Sequence, residues 1–333
     1  MEIQTVINQI AILFIIMAIG FIAGKVNIIS ITGNKNFSKI ILYITLPCTI
    51  LNSVIQNDIE ITGGDTAYFF LMSLLTFLIA FVVSLPIMYF MGGDKANRGL
   101  LSFMAIFSNC GFMGFPVAIA IFGLSSAYFA TLFNIPFNLL VFSIGVIMIA
   151  GKKPVDENQI TEPDELKKSE QDNTSKKVLK KNKFNPKQFL SPTLIVAIIV
   201  IPIALLDIKF PVIITEAVGI ISYITSPGAM IVIGVSLAHI PLKSIFAEWR
   251  IIPVILLKLL IIPAVTWLIL KQIISDEFIL GILVVLSAMP TAALASMIAI
   301  EYNGNERIAS AGVIITTILC GVTVPLIIYL FLM

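Results

Sequence analysis

Nine consecutive residues, Ser108-Asn109-Cys110-Gly111-Phe112-Met113-Gly114-Phe115-Pro116, place an amide, two glycines and a proline in the middle of a long apolar run. Such a stretch interrupts a helix. Proline withholds a backbone N–H and clashes with the carbonyl four residues back, and glycine gives up the most conformational freedom on becoming helical. A helix that restarts after the break opens with free N–H groups, and its positive dipole end favours an anion such as a carboxylate. Asn109 adds a neutral donor, while Gly111, Gly114 and Pro116 set the break. A second interruption is expected in Ser287-Ala288-Met289-Pro290-Thr291-Ala292-Ala293, where Pro290 breaks the run and Thr291 supplies a hydroxyl. The alternative is a pair of ordinary proline kinks.

The elements that carry these breaks follow from composition. The chain has 333 residues, of which 58% are hydrophobic and 12% charged. That balance leaves a soluble protein of this size without enough polar groups for its surface, so the lipid bilayer is the expected solvent. Taking about 20 apolar residues as the length that crosses the hydrocarbon core, ten spans are expected. The first five lie near 5–24, 37–56, 67–91, 98–122 and 127–149, and the second five near 189–206, 217–238, 249–271, 278–300 and 307–332. The fold class is thus an all-α integral membrane protein. Residues 1–150 form a first set of five helices, 151–188 a lysine-rich linker, and 189–333 a second set.

Tyr43-Ile44-Thr45-Leu46-Pro47 recurs as Tyr223-Ile224-Thr225-Ser226-Pro227, 180 residues later, in the second helix of each set. A repeat with five spans enters the membrane from opposite sides in its two copies, so a 5+5 inverted repeat is expected. Both breaks then fall in the fourth helix of their own repeat, helices four and nine. Paired interruptions at corresponding places are the best pointer to a transporter binding site, because unwound backbone survives in hydrocarbon only where it lines a cavity or packs against protein.

Basic residues set the orientation. Residues 151–187 hold ten lysines and seven acids, and with the amino terminus outside, inward loops carry 18 of the 21 basic residues. Both termini are expected outside the cell and the linker in the cytoplasm. The net charge of +2 gives no reason to expect nucleic acid. Cys48, Cys110 and Cys320 lie in apolar stretches without metal-ligand or disulfide spacing, so no metal or cofactor is expected. Nucleophile elbows, histidine clusters and phosphate loops are also missing from the sequence, which argues against an enzyme.

Lys258 is the one charge deep in a span, too far from either end to snorkel cheaply. No Asp or Glu sits at comparable depth, which leaves no carboxylate relay for protons. His239 is expected at the inner end of the seventh helix as an interfacial residue. Asn134 and Asn138 share a face of the fifth helix, and Asn52 and Ser53 follow Pro47. Amides in a membrane often glue helices together, and Asn134, Asn138 and Ser53 are also candidates to touch a substrate.

These features resemble the auxin efflux carrier family, which includes PIN-type auxin exporters and bacterial malate and malonate permease-like proteins. The resemblance runs through all ten spans. It rests on Asn109-x-Gly111-x-x-Gly114-x-Pro116, the mid-span Pro290, the Leu46-Pro47 helix and Thr316-Thr317 in the last helix. It implies an elevator-type secondary transporter of a small organic anion. Helices 3, 4, 5, 8, 9 and 10 would move against a scaffold of helices 1, 2, 6 and 7, with homodimerisation through the scaffold. The same resemblance assigns Asn109 and the two crossover prolines to the substrate site. Phe112 stands where PIN-type proteins usually carry a second asparagine, a departure that weakens the case for auxin itself as the substrate.

In that fold Lys258 would lie beside the crossover as a fixed cation, offsetting helix carboxyl ends or a bound anion in place of a coupling sodium ion. A lysine paired with backbone carbonyls is the alternative. A monovalent anion leaving the cell gains about 2.3 kcal/mol per 100 mV of inside-negative potential, so export needs no coupled ion. A sensor built on the transporter fold and an anion channel are the other functions the sequence leaves open.

Overall fold

The computed structural model describes residues 3–55, 63–90, 95–150, 192–206, 208–239, 250–301 and 305–332. The linker at 151–188 lies outside the described residues, and so do Asp58, Glu60 and Lys243. The described residues are helical, with no β-strand among them. In chain order they form α1 (Ile3–Lys25), α2 (Ile31–Ile55), α3 (Gly63–Phe90), α4 (Lys95–Ile106), α5 (Cys110–Phe122) and α6 (Ser126–Ile149). There follow α7 (Pro192–Leu205), α8 (Val212–Ala238), α9 (Ile251–Leu270), α10 (Glu277–Ala288), α11 (Leu294–Glu301) and α12 (Glu306–Phe331).

Seven of these helices, α1, α2, α3, α6, α8, α9 and α12, are long and apolar enough to cross a membrane. The span expected at 98–122 is the pair α4 and α5, and the one expected at 278–300 is the pair α10 and α11. Interruption shortens each piece below membrane-crossing length. The expected span at 189–206 appears as the 14 residues of α7.

Two boundaries differ from expectation for local reasons. Helix α2 begins at Ile31 because the Ser30 hydroxyl accepts from Gly33 N at 3.1 Å, satisfying one of the N–H groups that a new helix leaves open. Helix α8 begins at Val212, directly after Pro211, whose backbone is still extended (ψ 143°).

Proline also explains where helices widen. Single π-type turns occupy Ile41–Thr45, Cys110–Gly114, Val141–Gly145 and Leu257–Ile261. Three of them end two residues before a proline, namely Pro47, Pro116 and Pro263. The missing N–H and the ring's clash with the carbonyl four residues back are relieved by opening the preceding turn. Lys258 sits on one such turn, so its direction depends on Pro263.

Helix α1 packs along α8 closely enough for backbones to touch. A Cβ on Gly234 would fall 2.0 Å from the Met17 carbonyl oxygen, and one on Gly20 would fall 2.5 Å from that of Ile231. Small residues permit this approach, which in lipid is driven by dispersion contacts rather than by the hydrophobic effect. Polar bonds join α2 to α8. Asn34 Nδ2 donates to Val232 O and Ser236 Oγ at 3.2 and 2.9 Å. Thr49 Oγ1 donates to Thr225 Oγ1 at 2.6 Å, and Asn52 Nδ2 to Ser222 Oγ at 3.1 Å. Thr225 belongs to the repeated Tyr-Ile-Thr motif, so the repeat marks the point where these two helices are stitched together.

Gly234→Val should prise α1 from α8. Overpacking of this kind costs about 1–3 kcal/mol or more, so the expected result is a lowered melting temperature and loss of monodisperse protein in detergent, read by thermal unfolding and gel filtration.

Candidate functional site

The two interrupted helices meet. Helix α4 ends at Ile106 and α10 at Ala288, and the unwound residues beyond them lie antiparallel, with Ser108 opposite Thr291. Two reciprocal backbone bonds close the contact, Asn109 N to Pro290 O at 2.7 Å and Ala292 N to Phe107 O at 2.9 Å. Each strand therefore satisfies N–H and C=O groups of the other, which resolves the cost of unwound backbone in a low-dielectric interior. Such a bridge has a local two-fold axis, and its two halves are separated in sequence by nearly the same offset as the repeated motif.

Side chains finish the joint. Thr291 is fully buried, its Oγ1 donating to Met104 O at 2.9 Å in the last turn of α4 and its N–H donating to Thr316 Oγ1 at 3.1 Å. Thr316 donates in turn to Gly312 O at 2.7 Å. Thr291 thus locks the crossover rather than facing open space. Thr291→Val keeps the shape and strands the Met104 carbonyl, an unsatisfied buried acceptor worth about 1–3 kcal/mol. The expected outcome is destabilisation of that order in thermal unfolding.

Asn109 is the cap of the restarted helix. Its Oδ1 accepts from Phe112 N at 3.4 Å, while its backbone carbonyl accepts from Gly114 N at 2.9 Å. Its side-chain nitrogen donates to no described residue and remains a free donor. Gly111 lies one residue into α5, and a Cβ built there would meet nothing within 4 Å. Gly114 is the opposite case, since its Cβ would come 2.9 Å from Leu286 Cδ2 on α10. Of the two glycines, Gly111 faces space and Gly114 allows packing. Pro116 and Pro290 are buried, and Pro290 supplies its carbonyl to the bridge.

Lys258 reaches this joint from α9. It is fully buried, and its ammonium donates to the Ser108 hydroxyl, which donates to Ser287 O at 3.3 Å in the last turn of α10. In the sequence Ser108 and Ser287 are simply the first residues of the two interrupted stretches. The available signal was that a serine precedes each break in both repeats.

Asn134 and Asn138 are buried on α6, which packs against residues 110–114. Their amide nitrogens donate along their own helix, to Ala130 O at 2.8 Å and Asn134 O at 2.7 Å. Ser53 is fully buried with its hydroxyl on Ile50 O at 2.7 Å, in the part of α2 that packs on α6, α7 and α8, and it takes no part in the crossover bonds. A separate cavity of about 690 Å³, lined by Phe122, Trp267, Lys271, Glu277, Phe278, Phe331 and their neighbours, contains no crossover residue.

Among the described residues no group of three or more His, Cys, Asp or Glu could hold a metal ion. The family model described as membrane transport protein matches residues 5–328. An uncharacterized transporter of Methanocaldococcus jannaschii is 24% identical over 324 residues, covering 93% of this chain and 94% of that protein. With its multiple apolar spans, the chain is a multi-pass membrane protein and belongs to the membrane transport protein family, that of the auxin efflux carriers.

Proposed function

We propose that the protein is a secondary carrier that moves a small organic carboxylate across the cytoplasmic membrane by an elevator-type alternating-access cycle. The observation that carries this is the reciprocal bonding of two interrupted helices at Ser108 and Thr291. Around it, Asn109 offers a free amide donor and Gly111 an open face beside the start of α5, where the helix dipole favours negative charge. Asn134 and Asn138 stand on the neighbouring helix to complete the polar wall. Gly114, Pro116, Pro290 and Thr291 hold the shape.

The architecture consists of ten spans in a 5+5 inverted repeat, with α4–α5 and α10–α11 each counted as one. The two-fold character of the crossover supports this, as does the antiparallel α2–α8 contact at the repeated motif. The scaffold is α1, α2, α7 and α8, supported by the backbone-close α1–α8 pair and the polar α2–α8 bonds. The moving unit comprises α3–α6 and α9–α12. Both termini lie outside, the linker lies inside, and a homodimer forms through the scaffold.

The test is a thermal-shift screen of purified protein against small carboxylic acids, followed by flux measurement in vesicles with whichever acid stabilises it. A carboxylate that both stabilises and is moved supports the proposal. A panel of mono- and dicarboxylates with neither effect overturns it.

A further inference from the structure

Among the described residues Lys258 is the one buried charged side chain, and no Asp or Glu is buried with it. Its turn packs against α3, α4, α10 and α12. The side chains near its ammonium are the Ser108 hydroxyl, just beyond α4, and the Cys110 thiol at the start of α5, and neither is a carboxylate. Compensation comes instead from dipoles. Helices α4 and α10 both end at the crossover, and each carbonyl end carries about half a negative charge. Ser108 relays the ammonium to one of those ends through the Ser287 carbonyl. Among the described residues, a lone cation held in this way has no buried acid to cancel it, so its neighbourhood keeps a net positive charge.

We propose that Lys258 gives the moving unit a standing positive charge, so that membrane voltage acts on the empty carrier and not on the carrier loaded with a monovalent carboxylate. This rests on the carrier reading above, including the place of α9 in the moving unit. When a monoanion binds, the unit is neutral and crosses the membrane without electrical work. When the anion leaves outside, the unit returns bearing one positive charge and is drawn toward the negative interior. Each full cycle still exports one negative charge, as conservation requires, but the voltage-sensitive step is the empty return. Exchange of one monoanion for another uses only the loaded unit and is therefore insensitive to voltage.

The experiment steps the voltage across planar bilayers containing the full-length protein, in medium without carboxylate. Wild-type protein should show a transient charge movement that saturates with voltage. Lys258→Arg should retain it, and Lys258→Met should lose it at least about tenfold while keeping its helix content by circular dichroism. In parallel, vesicles loaded with lactate or benzoate report exchange of the labelled acid at clamped potentials.

Wild-type protein that exchanges either acid yet moves no charge when empty overturns the assignment of charge and leaves the carrier standing. Exchange that changes severalfold with voltage does the same. Protein that neither exchanges the acids nor moves charge overturns the assignment of charge, and the carboxylate panel above then decides the carrier reading separately. Charge movement that persists in Lys258→Met shows that another group carries it. Should Lys258→Met fail to fold, the wild-type measurements still decide the matter.

Discussion

Gly111→Leu should leave the protein as stable as the wild type and abolish its transport. The expectation comes from one piece of geometry, in that a Cβ at this position meets nothing within 4 Å. The backbone of Gly111 lies in a helical turn with no need for positive φ, the described residues having that conformation only at Asn27 and Gly123. A larger side chain therefore brings no backbone strain, and replacing a helical glycine gains a few tenths to about 1 kcal/mol. What the leucine fills is the open face beside the start of α5, where the carboxylate is proposed to sit. The check is a melting curve within a degree or two of wild type together with flux reduced by at least about tenfold. Gly114→Leu makes the internal control, since it collides with Leu286 and should lose stability along with activity.

Asn109→Asp is expected to remove binding of the organic anion more completely than Asn109→Ala. The alanine variant loses one donor to a charged group, about 1.5–3 kcal/mol, or roughly tenfold to a hundredfold in affinity. The aspartate keeps the cap on Phe112 N, which an oxygen acceptor serves equally well, but replaces the free amide donor by a second acceptor with a negative charge. A carboxylate beside a carboxylate repels it at low dielectric. The measurement is the thermal shift produced by the best-binding acid in each variant. It should be full in wild type, reduced in Asn109→Ala and absent in Asn109→Asp, with all three folded in the absence of ligand.

The sequence carried the membrane class and both helix breaks because each rests on strong local physics. Long apolar runs have one stable solvent, and Pro116 and Pro290 cannot be absorbed silently into a helix. The residues at each break were also legible by type. Their division of labour was not, since it depends on which way side chains turn once the two strands meet. By type Thr291 reads as a hydroxyl donor, and the structure shows that hydroxyl donating to Met104 O at the end of α4. Gly111 and Gly114 looked alike, and only their neighbours separate them.

The role of Ser108 is not legible from residue type, because a serine hydroxyl in an apolar run usually returns to nearby backbone. Contact with Lys258, 150 residues away, is a tertiary fact. Hydropathy places the start of α2 late for a simpler reason. Its first turn is polar, including Asn34 and Lys35, and hydropathy cannot see the Ser30 cap that starts it.

The account is tested most directly by counterflow. Vesicles containing the wild-type protein are preloaded with unlabelled acid, chosen by thermal shift, and diluted into the labelled acid. A carrier with its site at the crossover predicts a transient overshoot of label, saturable and stimulated by acid on the far side, that disappears in Gly111→Leu. Flux that rises without saturation and without overshoot, or that is unchanged in Gly111→Leu, would contradict it.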